Sequence, residues 1–127
     1  MTRILVIDDD PDFGEITRLI LQSKGYEVET AANASIGLET MRTNPPDLVL
    51  LDVMMAGILD GVYVARTMSE DPALCRIPII MISSIASSPM ADRFPTDEYL
   101  PIATWISKPV QPEDLLKKVA RLTGGKP

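Results

Sequence analysis

The sequence predicts a doubly wound α/β domain on a five-stranded parallel sheet, and three observations carry that reading. Apolar runs without alternation stand at Ile4–Ile7, Leu48–Leu51 and Ile79–Ile82, as in strands buried on both faces. Segments of helical periodicity lie between them. A polar residue follows each run, where such sheets gather their ligands.

In chain order, Ile4–Ile7 is the first strand and runs into Asp8 and Asp9. Asp10 can cap a helix whose first position is Pro11, with Phe13, Ile16 and Ile20 on one face and Gly25 at C′. Glu27–Ala31 fits a second strand. Asn33 caps the next helix, Ile36, Leu38 and Met41 are expected to face inward, and Pro45-Pro46 stops it. Leu48–Leu51 forms the third strand and ends at Asp52. The segment Gly61–Glu70 carries Val62, Ala65 and Met68 at helical spacing and closes at Asp71-Pro72. Ile79–Ile82 is the fourth strand and ends at Ser83. From Ser84 to Pro101 the periodicity is weak and Pro89, Pro95 and Pro101 interrupt it, so only a short helix near Ser88 or Pro89 is expected. Thr104–Ser107 makes the fifth strand, followed by Lys108. Pro112 opens a last helix with Leu115, Leu116, Val119 and Leu122 inward, and Gly124-Gly125 ends it.

At 127 residues, 46% hydrophobic and 24% charged, the chain has the size and composition of one globular domain. The expected organisation is a single domain over 1–127, ordered over about 3–123, with no output domain. No apolar run approaches the roughly 20 residues that span a bilayer, and the start lacks the pattern of a secretory signal. A cytoplasmic protein without membrane contact is expected. Cys75 is the sole cysteine, which excludes an internal disulfide and reads best as a small, partly buried residue. Histidine is absent, so His-ligated zinc and Ser-His-Asp or Cys-His catalysis are excluded together. The formal charge of −6, with no basic stripe, argues against direct nucleic-acid binding.

Oxygen chemistry remains. Three carboxylates at adjoining strand ends, Asp8, Asp9 and Asp52, would repel one another unless a cation or proton sits among them. With oxygen ligands only, a hard ion such as Mg²⁺ fits, keeping several of its own waters. Lys108 adds a positive charge and Ser83 a hydroxyl donor. Such a site suits phosphoryl transfer to a carboxylate nucleophile, with cation, lysine and hydroxyl neutralising charge on the transferred oxygens. Simpler readings apply to several neighbours: Asp10 is a helix cap, Val53-Met54-Met55 is loop packing, and Trp105 can be edge-strand packing.

The strings ILVIDDD, LVLLDVMMAGILDG, PIIMIS and WISKPV, in this order and spacing, resemble bacterial response-regulator receiver domains over nearly the whole chain. The resemblance implies a flavodoxin-like (βα)5 fold with strand order 2-1-3-4-5. It implies that Asp8 and Asp9 hold Mg²⁺, that Asp52 is the phosphoacceptor and metal ligand, and that the main-chain carbonyl of Met54 completes the protein's ligands. Ser83 matches the switch hydroxyl, Lys108 the lysine that contacts the phosphoryl group, and Trp105 the aromatic switch. Pro109 matches a position where the family often has a cis bond. The implied donor is a sensor histidine kinase or a histidine phosphotransfer protein, and the implied recipient of the signal is a downstream protein that the sequence does not name. The chain can equally be a piece of a larger regulator or hybrid kinase.

Two departures stand out. Ala56 occupies a position where the family usually has proline, and Asp60-Gly61 lies one residue further from Asp52 than in the common pattern, so a longer loop is expected. The stretch Ser84–Pro101 lacks the small Gly-Ala-Asp segment before the fifth strand. Two other functions compete. VIDDDPD also contains the Asp-x-Asp of haloacid-dehalogenase-type phosphohydrolases, but no acidic motif follows Lys108, no cap domain is present, and Asp52 would have no role. A receiver-like binding module that is never phosphorylated is the other.

Overall fold

The computed structural model describes residues 2–52, 60–83, 102–107 and 110–124. Five parallel strands, β1 (Arg3–Ile7), β2 (Glu27–Ala31), β3 (Leu48–Asp52), β4 (Ile79–Ser83) and β5 (Ile102–Ser107), lie in the order β2-β1-β3-β4-β5. Four helices stand among the described residues: α1 (Pro11–Gln22), α2 (Ala34–Thr43), α3 (Asp60–Glu70) and α4 (Pro112–Thr123). The expected fold class and strand order are therefore observed. The short helix expected near Ser88 or Pro89 lies outside the described residues, as do the loop after Val53 and the peptide bond at Pro109.

Alternate strand residues point to opposite faces, and the core divides accordingly. Leu5, Ile7, Val49, Leu51, Ile79 and Met81 pack with Leu38 and Met41 of α2 and with Val64, Ala65 and Met68 of α3. Ile4, Val6, Leu48, Leu50, Ile80 and Ile82 pack on the other face with Leu21 of α1 and with Leu115 and Val119 of α4. Both faces being covered explains why the strands read as unbroken apolar runs. No helix among the described residues is long and apolar enough to cross a membrane.

The caps form as the sequence indicates. The Asp10 carboxylate accepts from the amides of Asp12 at 3.0 Å and Phe13 at 3.4 Å, and the Asn33 side chain accepts from Ile36 N at 2.8 Å. At the C-terminus of α4, Gly124 takes φ +81°, a left-handed position that suits a residue without Cβ. Gly25 also has positive φ, but the cap of α1 is Ser23, so Gly25 sits two residues past the cap and not at C′.

Phe13 and Ile20 of α1 and Leu38 and Met41 of α2 pack inward as expected, but one isoleucine on each of these two helices does not. Ile16 is 58% exposed and Ile36 is 47% exposed; the buried positions are Gly14, Thr17 and Leu21 in α1 and Gly37, Leu38 and Met41 in α2. In each helix a glycine is buried and a nearby isoleucine is turned outward, and in α2 the missing Cβ at Gly37 lets the axis come close to Ile7. A Cβ on Gly14 would meet Thr30 Cγ2 at 3.7 Å, an ordinary contact, so α1 does not depend on glycine there as α2 does at Gly37. A scan for large apolar residues cannot register a face built on glycine and threonine.

Candidate functional site

The site grows out of the sheet register. Ile7, the last residue of β1, pairs with Ala31 of β2 and with Leu51 of β3. The next residue on each side is an aspartate: Asp8 after β1 and Asp52 at the end of β3. Asp8 continues the ladder by donating its amide to Ala31 O at 3.0 Å. The chain leaves β1 toward β2 on one side and returns from β2 to β3 on the other, so β1 and β3 flank the topological switch point where open α/β sheets bind ligands.

Asp8 and Asp52 are buried, at 6% and 5% exposure, and Asp9 is exposed. One carboxylate oxygen from each of Asp8, Asp9 and Asp52 lies within 4.8 Å of the others. An octahedral Mg²⁺ at about 2.1 Å from its ligands would set neighbouring oxygens about 3 Å apart and opposite ones about 4.2 Å apart. The carboxylate triad falls within reach of that geometry with small side-chain adjustments. Its donors are all hard oxygen atoms, the set that Mg²⁺ or Ca²⁺ takes and that soft metals do not prefer.

The turn after β1 fixes the first of these carboxylates. Asp8 Oδ1 accepts the amide of Asp10 at 2.9 Å, while the Asp10 side chain caps α1. Asp10 thus serves the site through its backbone as well as the helix through its carboxylate. Sequence reading identified the cap but not the amide, because an Asx-type turn depends on backbone geometry that residue identity alone leaves open.

The remaining expected residues are placed unequally. Asp52 pairs with Ile82 of β4, so Ser83 comes one step beyond that partner, and Ser83 itself pairs with Ser107 of β5. Lys108 is the next residue after β5 and lies outside the described residues, as does Met54. Trp105 is in β5, paired with Met81, 39% exposed, and its carbonyl accepts from Lys118 Nζ at 3.5 Å. Cys75 is partly buried and remote in sequence from every strand end that carries the acids.

Comparison with known proteins agrees with this geometry. The family model for the response regulator receiver domain matches residues 4–120. The DNA-binding response regulator MtrA of Mycolicibacterium smegmatis is 32% identical over 125 residues, which is 94% of this chain and 50% of that protein. The transcriptional regulatory protein CseB of Streptomyces avermitilis is 39% identical over 87 residues, covering 68% of this chain and 35% of its own length. The chain therefore spans half or less of the curated relatives named here. Among solved structures, the chemotaxis response regulator CheY4 of Vibrio cholerae superposes with a TM-score of 0.84 at 28% identity, over 96% of this chain and 98% of that one. The signal receiver domain of a histidine kinase from Syntrophus aciditrophicus gives 0.86 at 29% identity, over 98% and 92%. A parallel sheet in the order 2-1-3-4-5, an acidic cluster at its switch point and a family match over nearly the whole chain lead to one conclusion: the chain belongs to the response-regulator receiver domains.

Proposed function

We propose that Asp52 accepts the phosphoryl group, with Asp8, Asp9 and Asp52 and the main-chain carbonyl of Met54 as the protein's ligands to Mg²⁺. The observation that carries this reading is the approach of the three carboxylate oxygens to within 4.8 Å at the carboxyl ends of β1 and β3. Asp8 and Asp52 are buried carboxylates grouped with Asp9, a setting in which a bound cation is favoured. A Mg²⁺ ion, when bound, offsets the carboxylate charge and the charge that develops on the transferred oxygens.

In the transfer, an Asp52 carboxylate oxygen forms the new P–O bond as the donor's P–N bond breaks, and the donor imidazole nitrogen leaves with the electron pair and takes a proton. Asp8 is held by the Asp10 amide, so its carboxylate needs little reorganisation to serve as a ligand. Lys108 and Ser83 contact the phosphoryl oxygens in this reading, and Trp105 responds to the movement of Ser83. The donor is a sensor histidine kinase or a histidine phosphotransfer protein, and the 127 residues act as one signalling domain in the cytoplasm and not as a turnover enzyme. Direct contact of these residues with nucleic acid is not expected at a net charge of −6, although MtrA, twice as long, is a DNA-binding response regulator.

Incubation with a small phosphodonor and Mg²⁺, followed by intact-mass and phosphopeptide analysis, tests the assignment. One phosphoryl group is expected on the peptide containing Asp52, and none in Asp52→Asn. Modification that persists in the variant, or its absence in the wild type with both donor and metal present, would overturn the reading.

A further inference from the structure

Outside the carboxylates, the contact that bears most directly on their position is one between a glycine and an isoleucine. Ile7 is fully buried, closes β1, and lies between Ala31 and Leu51 in the sheet. Gly37 of α2 lies directly against it. A Cβ added at Gly37 would stand 2.5 Å from Ile7 Cδ1, 2.9 Å from Cγ1 and 3.4 Å from Cγ2. The first two distances are too short for real contacts, and the third leaves no slack. Isoleucine is β-branched and stiff at χ1, and Ile7 is fully buried in a core with Leu38, Met41, Leu51 and Met81, which limits how far its side chain can turn.

A larger residue at 37 must therefore shift the Ile7 side chain, and what that side chain cannot give must come from the end of β1 or from α2. Both routes lead to the acidic cluster. Moving the end of β1 moves Asp8, the next residue. Moving α2 pulls on Asn33 and Ala32, and through them on Ala31, whose carbonyl holds the Asp8 amide at 3.0 Å. We propose that Ile7 and Gly37 are a matched positioning pair: the missing Cβ at 37 makes room for the long side chain at 7, and their fit sets where the Asp8-Asp9 turn sits relative to Asp52. The inference rests on the reading of Asp8, Asp9 and Asp52 as a magnesium site.

The test compares wild type with Gly37→Ala, Ile7→Val and the Ile7→Val/Gly37→Ala double variant. The double variant moves one methylene from position 7 to position 37 and so nearly conserves volume. Mg²⁺ affinity is read from the Asp8 and Asp9 amide shifts by NMR, and metal-free melting is recorded for each protein. Alanine favours a helix interior over glycine, which offsets part of the steric cost in Gly37→Ala. Gly37→Ala is expected to raise the Kd for Mg²⁺ three- to tenfold, Ile7→Val, which loosens the contact without a clash, two- to threefold, and the double variant, which loses the 2.5 Å contact but keeps the γ carbon at 2.9 Å, to recover at least half of the Gly37→Ala loss. A pair that is merely structural would change the melting temperatures and leave every Kd within twofold, and that result overturns the proposal. So does a double variant whose Kd is no better than that of Gly37→Ala. A wild-type protein with no saturable response at Asp8 and Asp9 overturns the magnesium site itself, and shows it before any variant is compared.

Discussion

Asp52→Asn should make the metal-free protein more stable while abolishing its stabilisation by Mg²⁺. Asp8 and Asp52 are both buried, and one oxygen of each lies within 4.8 Å of the other. Two unit charges at that separation, in an effective dielectric near 20, repel by about 3 to 4 kcal/mol. Asparagine keeps the shape and removes the charge. Weaker hydrogen bonding at a neutral amide costs about 1 to 2 kcal/mol of that gain. The net expectation is about 1 to 3 kcal/mol of added stability in chelator, or roughly 4 to 12 °C in Tm for a domain of this size. The wild type should recover the deficit on metal binding, gaining about 2.7 kcal/mol at a Mg²⁺ concentration one hundred times Kd. Calorimetric or fluorescence melts of both proteins, each in chelator and in Mg²⁺, give the four values required. If Asp52→Asn melts below the wild type in chelator, or if both proteins gain equally from Mg²⁺, the argument that clustered charge is relieved by the cation is wrong.

Other outcomes follow from the same geometry. Asp10→Ala removes a helix cap and should cost about 1 kcal/mol; the Asp10 amide still holds Asp8, so Mg²⁺ affinity should stay within a few-fold, and a tenfold loss would mean that the Asp10 carboxylate itself belongs to the metal site. Lys108→Ala should leave the circular dichroism spectrum unchanged and weaken the coupling of phosphorylation to partner binding, whereas loss of folding would make the lysine a structural residue. Under a beryllofluoride adduct on Asp52, rotation of Ser83 toward the new acceptors should draw Trp105 inward from its 39% exposed position and quench or shift its fluorescence. An unchanged Trp105 rotamer and unshifted amides from Ser84 to Pro101 would remove the switch while leaving the phosphoacceptor assignment intact.

Strand positions were legible because a strand covered on both faces must be apolar at every position, and Leu48–Leu51 or Ile79–Ile82 can serve few other purposes at that length. The acids were legible for the complementary reason: a charge placed directly after such a run has to be explained, and Asp8, Asp9 and Asp52 share that placement. Helix ends at Asp10-Pro11, Asn33 and Gly124 were equally plain, since capping is a local matter between a side chain and the next turn of backbone.

Which side of each helix meets the sheet was not a local matter. Residues Phe13, Ile16 and Ile20 share a helical stripe, and Phe13 and Ile20 do pack against the core, but Ile16 turns to solvent while Gly14, Thr17 and Leu21 are the buried positions of α1. The same holds for Gly37 over Ile36 in α2. By itself, then, the sequence determined the order of elements, the parallel sheet and the identity of the acidic residues, all of which follow from patterns within a few residues of chain. The resemblance implied that β1 lies beside β3, but only the tertiary structure decided the register, with Ile7 opposite Leu51, that brings Asp8 and Asp52 together from positions 44 residues apart. Only it decided that the Asp10 amide and the Ile7–Gly37 contact hold one of them in place. The physical reason is that pattern reports how much of a residue is buried, whereas register and close packing depend on which surfaces meet, and that is settled by the whole core at once.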